Sequence, residues 1–227
     1  MARPDRRTGD EIRALHCVLG QLSRADGSAQ FAAGDSSVLC GVYGPVDVRV
    51  YDEKLDRAHI EVKFRPDTGL PTTKDKWAES AIRSTFEREI LSHLHPRTLV
   101  QINIQVRQND GLVEAAAINA ATLALVDAGI PLRTMVAAAT CAVLPGGAIV
   151  VDPTQEEAVG AQSVHTFAFA GSAGDDEPVY ADSRGDFGQD EYSACYDLCA
   201  TAAGRVLAFM RSAVEGKVAK EARIAAS

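Results

Sequence analysis

What this sequence lacks narrows the field first. No apolar run approaches the roughly 18 residues a bilayer-spanning helix needs, so no transmembrane segment is expected. The opening Met1-Ala2-Arg3-Pro4-Asp5-Arg6-Arg7 runs into further charge rather than an apolar stretch, which is not the pattern of a secretory leader. Cysteine is sparse and odd in number: Cys17, Cys40, Cys141, Cys195 and Cys199, most of them among apolar neighbours. That reads as reduced intracellular thiols rather than a disulfide frame. Positive charge is in deficit, with 23 Lys and Arg against 31 Asp and Glu and a formal charge of -8. A free-standing, high-affinity nucleic-acid binder needs clustered cations, so that class is disfavoured. A subunit whose partners bring the charge is not. There is no phosphate-cradling glycine loop and no Ser framed as a nucleophile elbow. Cys195 and Cys199 lie one helical turn apart without a second pair at ligand spacing, and the five histidines are scattered. Packing is the favoured reading over a metal site, and no cofactor is expected.

What is present suits one domain over residues 1–227, with an ordered core at about 8–216. Residues 37–45 are short, apolar and β-branched, and a Gly-Pro pair closes them as a buried strand. Val46, Val48 and Val50 alternate with Asp47 and Arg49 in a half-exposed strand pattern, and residues 60–64 alternate again. Trp77, Ala81, Ile82, Phe86, Ile90 and Leu94 recur at helical spacing, which predicts a helix over 76–93. His95-Pro96 stops it. Residues 99–108 give the clearest strand, with Val100, Ile102, Ile104 and Val106 on one face. After the Asn109-Asp110-Gly111 turn, residues 112–128 read as a buried helix rich in Ala and Leu. Residues 135–144 and 148–151 flank Pro145-Gly146-Gly147 as a hairpin, and 163–170 form a further strand. Residues 171–191 hold seven acids against Arg184 alone, read as a solvated acidic loop with a possible strand at 179–181. A long helix over about 190–218 ends the pattern. The order of elements argues α+β with mixed sheets.

Three segments together resemble one family. Arg3-Pro4-Asp5-Arg6-Arg7 with Asp10-Glu11-Ile12-Arg13 is similar to the N-terminal signature of RNase PH-like proteins. Ala25-Asp26-Gly27-Ser28-Ala29, with residues 34–45, resembles that family's first β-hairpin. Asp110-Gly111, Ile118-Asn119-Ala120 and residues 124–131 resemble its central helix. The likeness runs from about residue 3 to 215. Leu94-His95-Pro96-Arg97-Thr98 and Val151-Asp152-Pro153-Thr154 add a resemblance to ring subunits of the eukaryotic RNA exosome. The resemblance implies an RNase PH-like fold, of the ribosomal-protein-S5-domain-2 kind, with mixed sheets and packed helices. It implies a heterodimer with another RNase PH-like chain, inside a six-membered ring capped by RNA-binding subunits. It also implies work on RNA in nucleus, nucleolus and cytoplasm, without a membrane.

Active relatives cleave RNA from its 3′ end with inorganic phosphate. The attacking anion must be held by N–H groups at a helix N-terminus and by side-chain donors. A carboxylate pair must place a metal or a proton near the leaving oxygen. Where the resemblance puts the phosphate site, the chain reads Leu112-Val113-Glu114, which offers no side-chain donor and adds a negative charge. Where it puts two Asp six residues apart, the candidates are Glu156 and Glu157, and the partner position holds Ser163. Two RNA-gripping arginines fall at Ser80 and Ser84. The expectation is therefore a degenerate site and a non-catalytic subunit. Lys54, Arg57, Lys74, Lys76, Arg83, Arg88 and Arg97 are the candidate RNA-binding cations. Ordinary surface charge is their bland reading, because residues 54–97 carry nine bases against seven acids. The alternative is an active nuclease working as a homodimer, either phosphorolytic or hydrolytic through a metal at Glu156 and Glu157. A third reading is a protein-interaction module unrelated to RNA.

Overall fold

The computed structural model describes residue 3 and residues 7–111, 113–171 and 177–225. A first sheet takes β1 (Leu15–Leu19), β2 (Gly27–Ala33), β3 (Ser36–Asp47), β4 (His59–Arg65) and β5 (Thr98–Gln108). Its spatial order is β1-β2-β3-β5-β4, antiparallel except for the parallel β4–β5 pair. That parallel step needs a crossover, and α1 (Thr73–Glu89) supplies it. The second sheet takes β6 (Val136–Val143), β7 (Ile149–Val151), β8 (Ser163–Ala170) and β9 (Pro178–Gly185), in the order β7-β6-β8-β9, all antiparallel. Helix α2 (Val113–Asp127) packs against β2 and β3 of the first sheet and β6 of the second. A short α3 (Gln155–Gly160) precedes β8, and α4 (Gln189–Ala225) packs along β6, β8 and β1.

Helix α2 explains the architecture. Every residue from Val113 to Leu125 except Glu114 is buried. Small Ala side chains let its backbone approach both sheets. Its two interior polar residues stitch it to β6. The Asn119 amide donates to the Ala138 carbonyl at 3.0 Å and accepts from the Ala138 N–H at 2.7 Å. Thr122 Oγ1 donates within 2.9 Å of the Val136 carbonyl. The approach to β2 is tight enough that a Cβ on Gly27 would fall 2.2 Å from the Ala128 nitrogen. Lys217 of α4 pairs with Asp127, tying the end of the last helix to the end of α2.

Several expectations are corrected. The strand read into Val46, Val48 and Val50 stops at Asp47: Val46 and Asp47 end β3, paired with Leu99 and Thr98, residues 50–52 form a 3₁₀ turn, and Val50 is 88 % exposed. Alternation stabilises a strand only where a sheet receives one face, and beyond Asp47 none does. Helix α1 begins earlier, at Thr73, because Thr72 and Asp75 form a capping box. It ends at Glu89, and Ile90 pairs instead with Leu132. Its buried stripe is Ala78, Ile82, Thr85, Phe86 and Glu89, which leaves Trp77 and Leu94 outside. The stretch 171–191 is less of a loop than expected: the possible strand at 179–181 is there and extends over all of β9, whose Asp182 and Ala181 pair with Thr166 and Phe167, and α4 starts at Gln189. Pairing with β8 satisfies its backbone, so side-chain acidity does not keep it unstructured. Residues 172–176 and the motif residues Pro4, Asp5 and Arg6 lie outside the described residues.

Candidate functional site

The two sheets leave a cleft of 450 Å³ on the side of the molecule where α2 begins. Its walls come from the end of β4 (Phe64, Pro66, Asp67), the first turns of α1 (Lys74, Asp75, Ala78), α3 (Gln155, Val159) and β9 (Asp182, Arg184). Its floor is the turn after β5 with Gly111, Val113 and Glu114. The turn is built with care. Gly111 has φ +82°, and a Cβ there would sit 2.9 Å from the Gln155 nitrogen. Only glycine takes that conformation cheaply with α3 so close. Ser36 Oγ donates to the Gly111 carbonyl at 2.9 Å and accepts from the Asp110 N–H at 3.2 Å.

Glu114 stands in the first turn of α2, and its carboxylate meets Arg184 Nη2 at 2.6 Å. Arg184 Nε meets Asp182 at 2.8 Å, and its guanidinium lies 5.3 Å from the centre of the Trp77 ring. One guanidinium thus serves two carboxylates and rests on an aromatic face. Burial pushes the Glu114 carboxyl up from its ordinary value; Arg184 opposes the rise and Asp182 adds to it. Burial also draws Arg184 down, but Glu114 and Asp182 outweigh it and hold the guanidinium more firmly charged. Tyr180, 6.5 Å from Trp77 between ring centres, is driven upward by burial and then by Glu114 and Asp182.

The predicted carboxylate pair does not converge here. Glu157 is 9 % exposed and faces away into a salt bridge. Arg3 Nε and Nη2 each reach one of its oxygens at 3.0 Å. Glu157 also completes a capping box with Thr154 at the start of α3. Its carboxylate is therefore neither solvated nor free to ligate. The neighbouring Glu156 is exposed on α3. Ser163 begins β8, buried, with Oγ 3.0 Å from His165 Nε2; His165 Nδ1 is 2.8 Å from Ser183 Oγ. A second acidic residue, Asp152, is held by Arg13, which also meets Asp110 at 2.9 Å. Among the described residues, no group of three or more His, Cys, Asp or Glu is arranged to hold a metal ion. Leu112 lies outside the described residues, and Val113 lines the cleft without a polar atom on its side chain.

The candidate RNA-binding cations fall apart into separate groups. Lys74 alone of them lines the cleft. Lys76, Arg83 and Arg88 are exposed on α1, where Arg83 donates to Ser80 Oγ. Lys54 pairs with Glu87, Arg57 with Asp56 and Arg97 with Glu53, and the Arg97 N–H donates to the Lys54 carbonyl. Sequence reasoning missed Arg184, Asp182 and Trp77. The lone base in an acidic stretch was the available signal for Arg184. Trp77 carried none, because its spacing matched the core stripe.

Residues 11–131 match the family model described as 3′ exoribonuclease family, domain 1, and residues 134–175 match domain 2 of that family. The chain is 32 % identical to the Exosome complex exonuclease RRP46 homolog of rice, over 94 % of this chain and 96 % of that one. It is 34 % identical to the Exosome complex component RRP46 of Saccharomyces cerevisiae, over 82 % and 88 %. Among solved structures, rice Rrp46 superposes with a TM-score of 0.89 at 32 % identity, covering 94 % of this chain and all of that one. A chain of the Archaeoglobus fulgidus exosome, from a structure of that exosome with RNA bound to the active site, superposes with a TM-score of 0.75 at 19 % identity, which shows the shared fold.

Proposed function

Because this chain belongs to the RNase PH family of 3′ exoribonucleases, we propose that it is a non-catalytic ring subunit of an RNA exosome. On this reading it pairs with another RNase PH-like chain within a six-membered ring carrying RNA-binding caps. It supports 3′–5′ RNA processing and degradation, including rRNA maturation and mRNA turnover, in nucleus and nucleolus and also in the cytoplasm. It helps line the RNA path with Lys54, Arg57, Lys74, Lys76, Arg83, Arg88 and Arg97. Residues 1–227 act as one RNase PH-like unit.

One observation carries the absence of catalysis. The N-terminus of α2, where the resemblance puts the attacking phosphate, is faced by Glu114, whose charge Arg184 already balances. The obstacle is not bare repulsion by a carboxylate. The nearest guanidinium is committed, and no other side-chain donor comes from Val113. The helix dipole alone supplies about half a unit charge, too little to seat a dianion beside two carboxylates. The locked Glu157 and the Ser163 hydroxyl add support, since neither offers a free carboxylate.

The test is direct. The purified chain, given single-stranded RNA and inorganic phosphate, is expected to release no nucleoside diphosphate. Co-expressed with other RNase PH-like chains, it is expected in an assembly whose intact mass corresponds to six or nine subunits. Phosphate-dependent shortening by the chain alone, lost in Glu156→Gln, would replace this reading with that of an active homodimeric nuclease.

A further inference from the structure

The cleft floor is charged the wrong way for RNA. Its lining carries Asp67, Asp75, Glu114 and Asp182 against Lys74 and Arg184. Glu114 and Asp182 share one guanidinium between them, which leaves an uncompensated negative charge. The Trp77 ring forms a face against that guanidinium, and Val159 presents an 83 % exposed apolar surface on the α3 wall. Two carboxylates beside an aromatic face are what a guanidinium or alkylammonium group selects. Arg184 demonstrates the selection in cis: it is seated there although its side chain is 55 % exposed and belongs to an edge strand. A side chain so exposed turns out into water with little loss of packing.

We propose that this cleft docks a cationic, Lys- or Arg-bearing peptide segment of a protein partner, whose basic side chain displaces Arg184 from Glu114, Asp182 and Trp77. Charge complementarity favours such a segment over phosphate-bearing RNA. The apolar wall at Val159 suits the residues flanking a basic side chain in a peptide. The inference extends the ring-subunit reading by assigning the vacated catalytic region a protein ligand. Its failure would not bear on the phosphorolysis test above.

Trp77 is the only tryptophan of the chain and stands against Arg184 of the cleft wall, so fluorescence excited selectively at tryptophan reports on that guanidinium's surroundings. The probe is a capped octapeptide of alternating Arg and Ala, titrated into the full chain at low salt. A uridine octanucleotide and an alternating Glu and Ala octapeptide serve as controls. A saturable Trp77 response to the Arg peptide alone is expected. Binding should tighten about tenfold in Arg184→Ala and weaken at least tenfold in the doubly substituted E114Q/D182N chain, with circular dichroism checking both folds. The proposal is overturned by a flat wild-type titration, by unchanged binding in E114Q/D182N, or by an equal response to the oligonucleotide. The wild-type titration and its controls decide the matter even where a variant misfolds.

Discussion

Arg3 grips both carboxylate oxygens of Glu157 at 3.0 Å, across 154 residues of chain. The same guanidinium donates to the carbonyls of Val151 and Asp152. One N-terminal side chain thereby closes the end of β7 and the first turn of α3. The pair is almost dry, so it is worth more as a constraint on structure than as a surface ion pair would be.

Removing one member of that pair leaves a buried charge. Arg3→Met is expected to lower unfolding stability by about 3 kcal/mol, and Glu157→Gln by somewhat less. Urea denaturation measures both. The double change Arg3→Met with Glu157→Gln should cost less than the two singles summed. Divalent-cation affinity should be unaltered by Glu157→Gln; a loss of binding would restore a metal role to this residue.

Glu114 sets a pH dependence. Its folded-state carboxyl titrates above the ordinary 4.5, chiefly through burial. The folded protein therefore holds a proton that the unfolded chain has released. Stability from this group is full below about 4.5 and declines as pH rises through the raised value. Urea midpoints of wild type and Glu114→Gln, compared across that interval, should diverge in favour of the variant as pH increases. Parallel curves would refute the assignment.

His165 acts in the opposite sense. Burial lowers it from 6.5, against smaller upward pulls from Glu191 and Asp182. Below 6.5 the unfolded chain takes up a proton that the folded imidazole refuses, so stability falls as pH drops from 6.5 toward the lowered value. The neutral ring between Ser163 and Ser183, edge-on to Phe187 and Tyr192, must then become charged. His165→Gln should flatten this acid limb in thermal melts between pH 5 and 7 (about the span in which an ordinary His titrates).

Asn119→Ala removes two hydrogen bonds to Ala138 inside the α2–β6 contact. Both backbone groups lose their helix partner in a buried place. A loss of about 3 kcal/mol is expected in chemical denaturation. Asn119→Asp, which keeps the acceptor and loses the donor, should also destabilise.

Gly111→Ala tests the turn beneath the cleft. Its φ of +82° and the 2.9 Å approach to Gln155 both oppose a side chain. About 2 kcal/mol is expected to be lost, with the fold retained. Calorimetry at matched concentration reads it.

Local pattern carried much of this molecule. The strands β4 and β5 were legible because one face of each is buried and period-two alternation records that, whereas β3 and β8, buried along most of their length, were legible as short apolar runs. Helix α2 was legible for the opposite reason: with both sides covered, its stretch from 113 to 125 had to be apolar and small nearly throughout. The turn at Gly111 showed in its residue types. The anionic character of the α2 N-terminus could be read from Glu114 alone, and the resemblance supplied what that position ought to bind.

What needed tertiary structure was partnership. Nothing near Glu157 names Arg3, nothing near Glu114 names Arg184, and Glu156-Glu157 reads as a solvated pair until the N-terminal segment is laid across it. Trp77 fitted the core stripe of α1 until a shift of the buried face by one position turned it outward toward Arg184. Periodicity is a property of neighbours in the chain, so the sequence by itself determined β4, β5 and α2 with their apolar faces, but not the extent of β9, the end of β3 at Asp47 or the buried face of α1. Charge pairing and cleft shape depend on where two sheets come to rest around one helix, and that depends on packing among residues tens of positions apart.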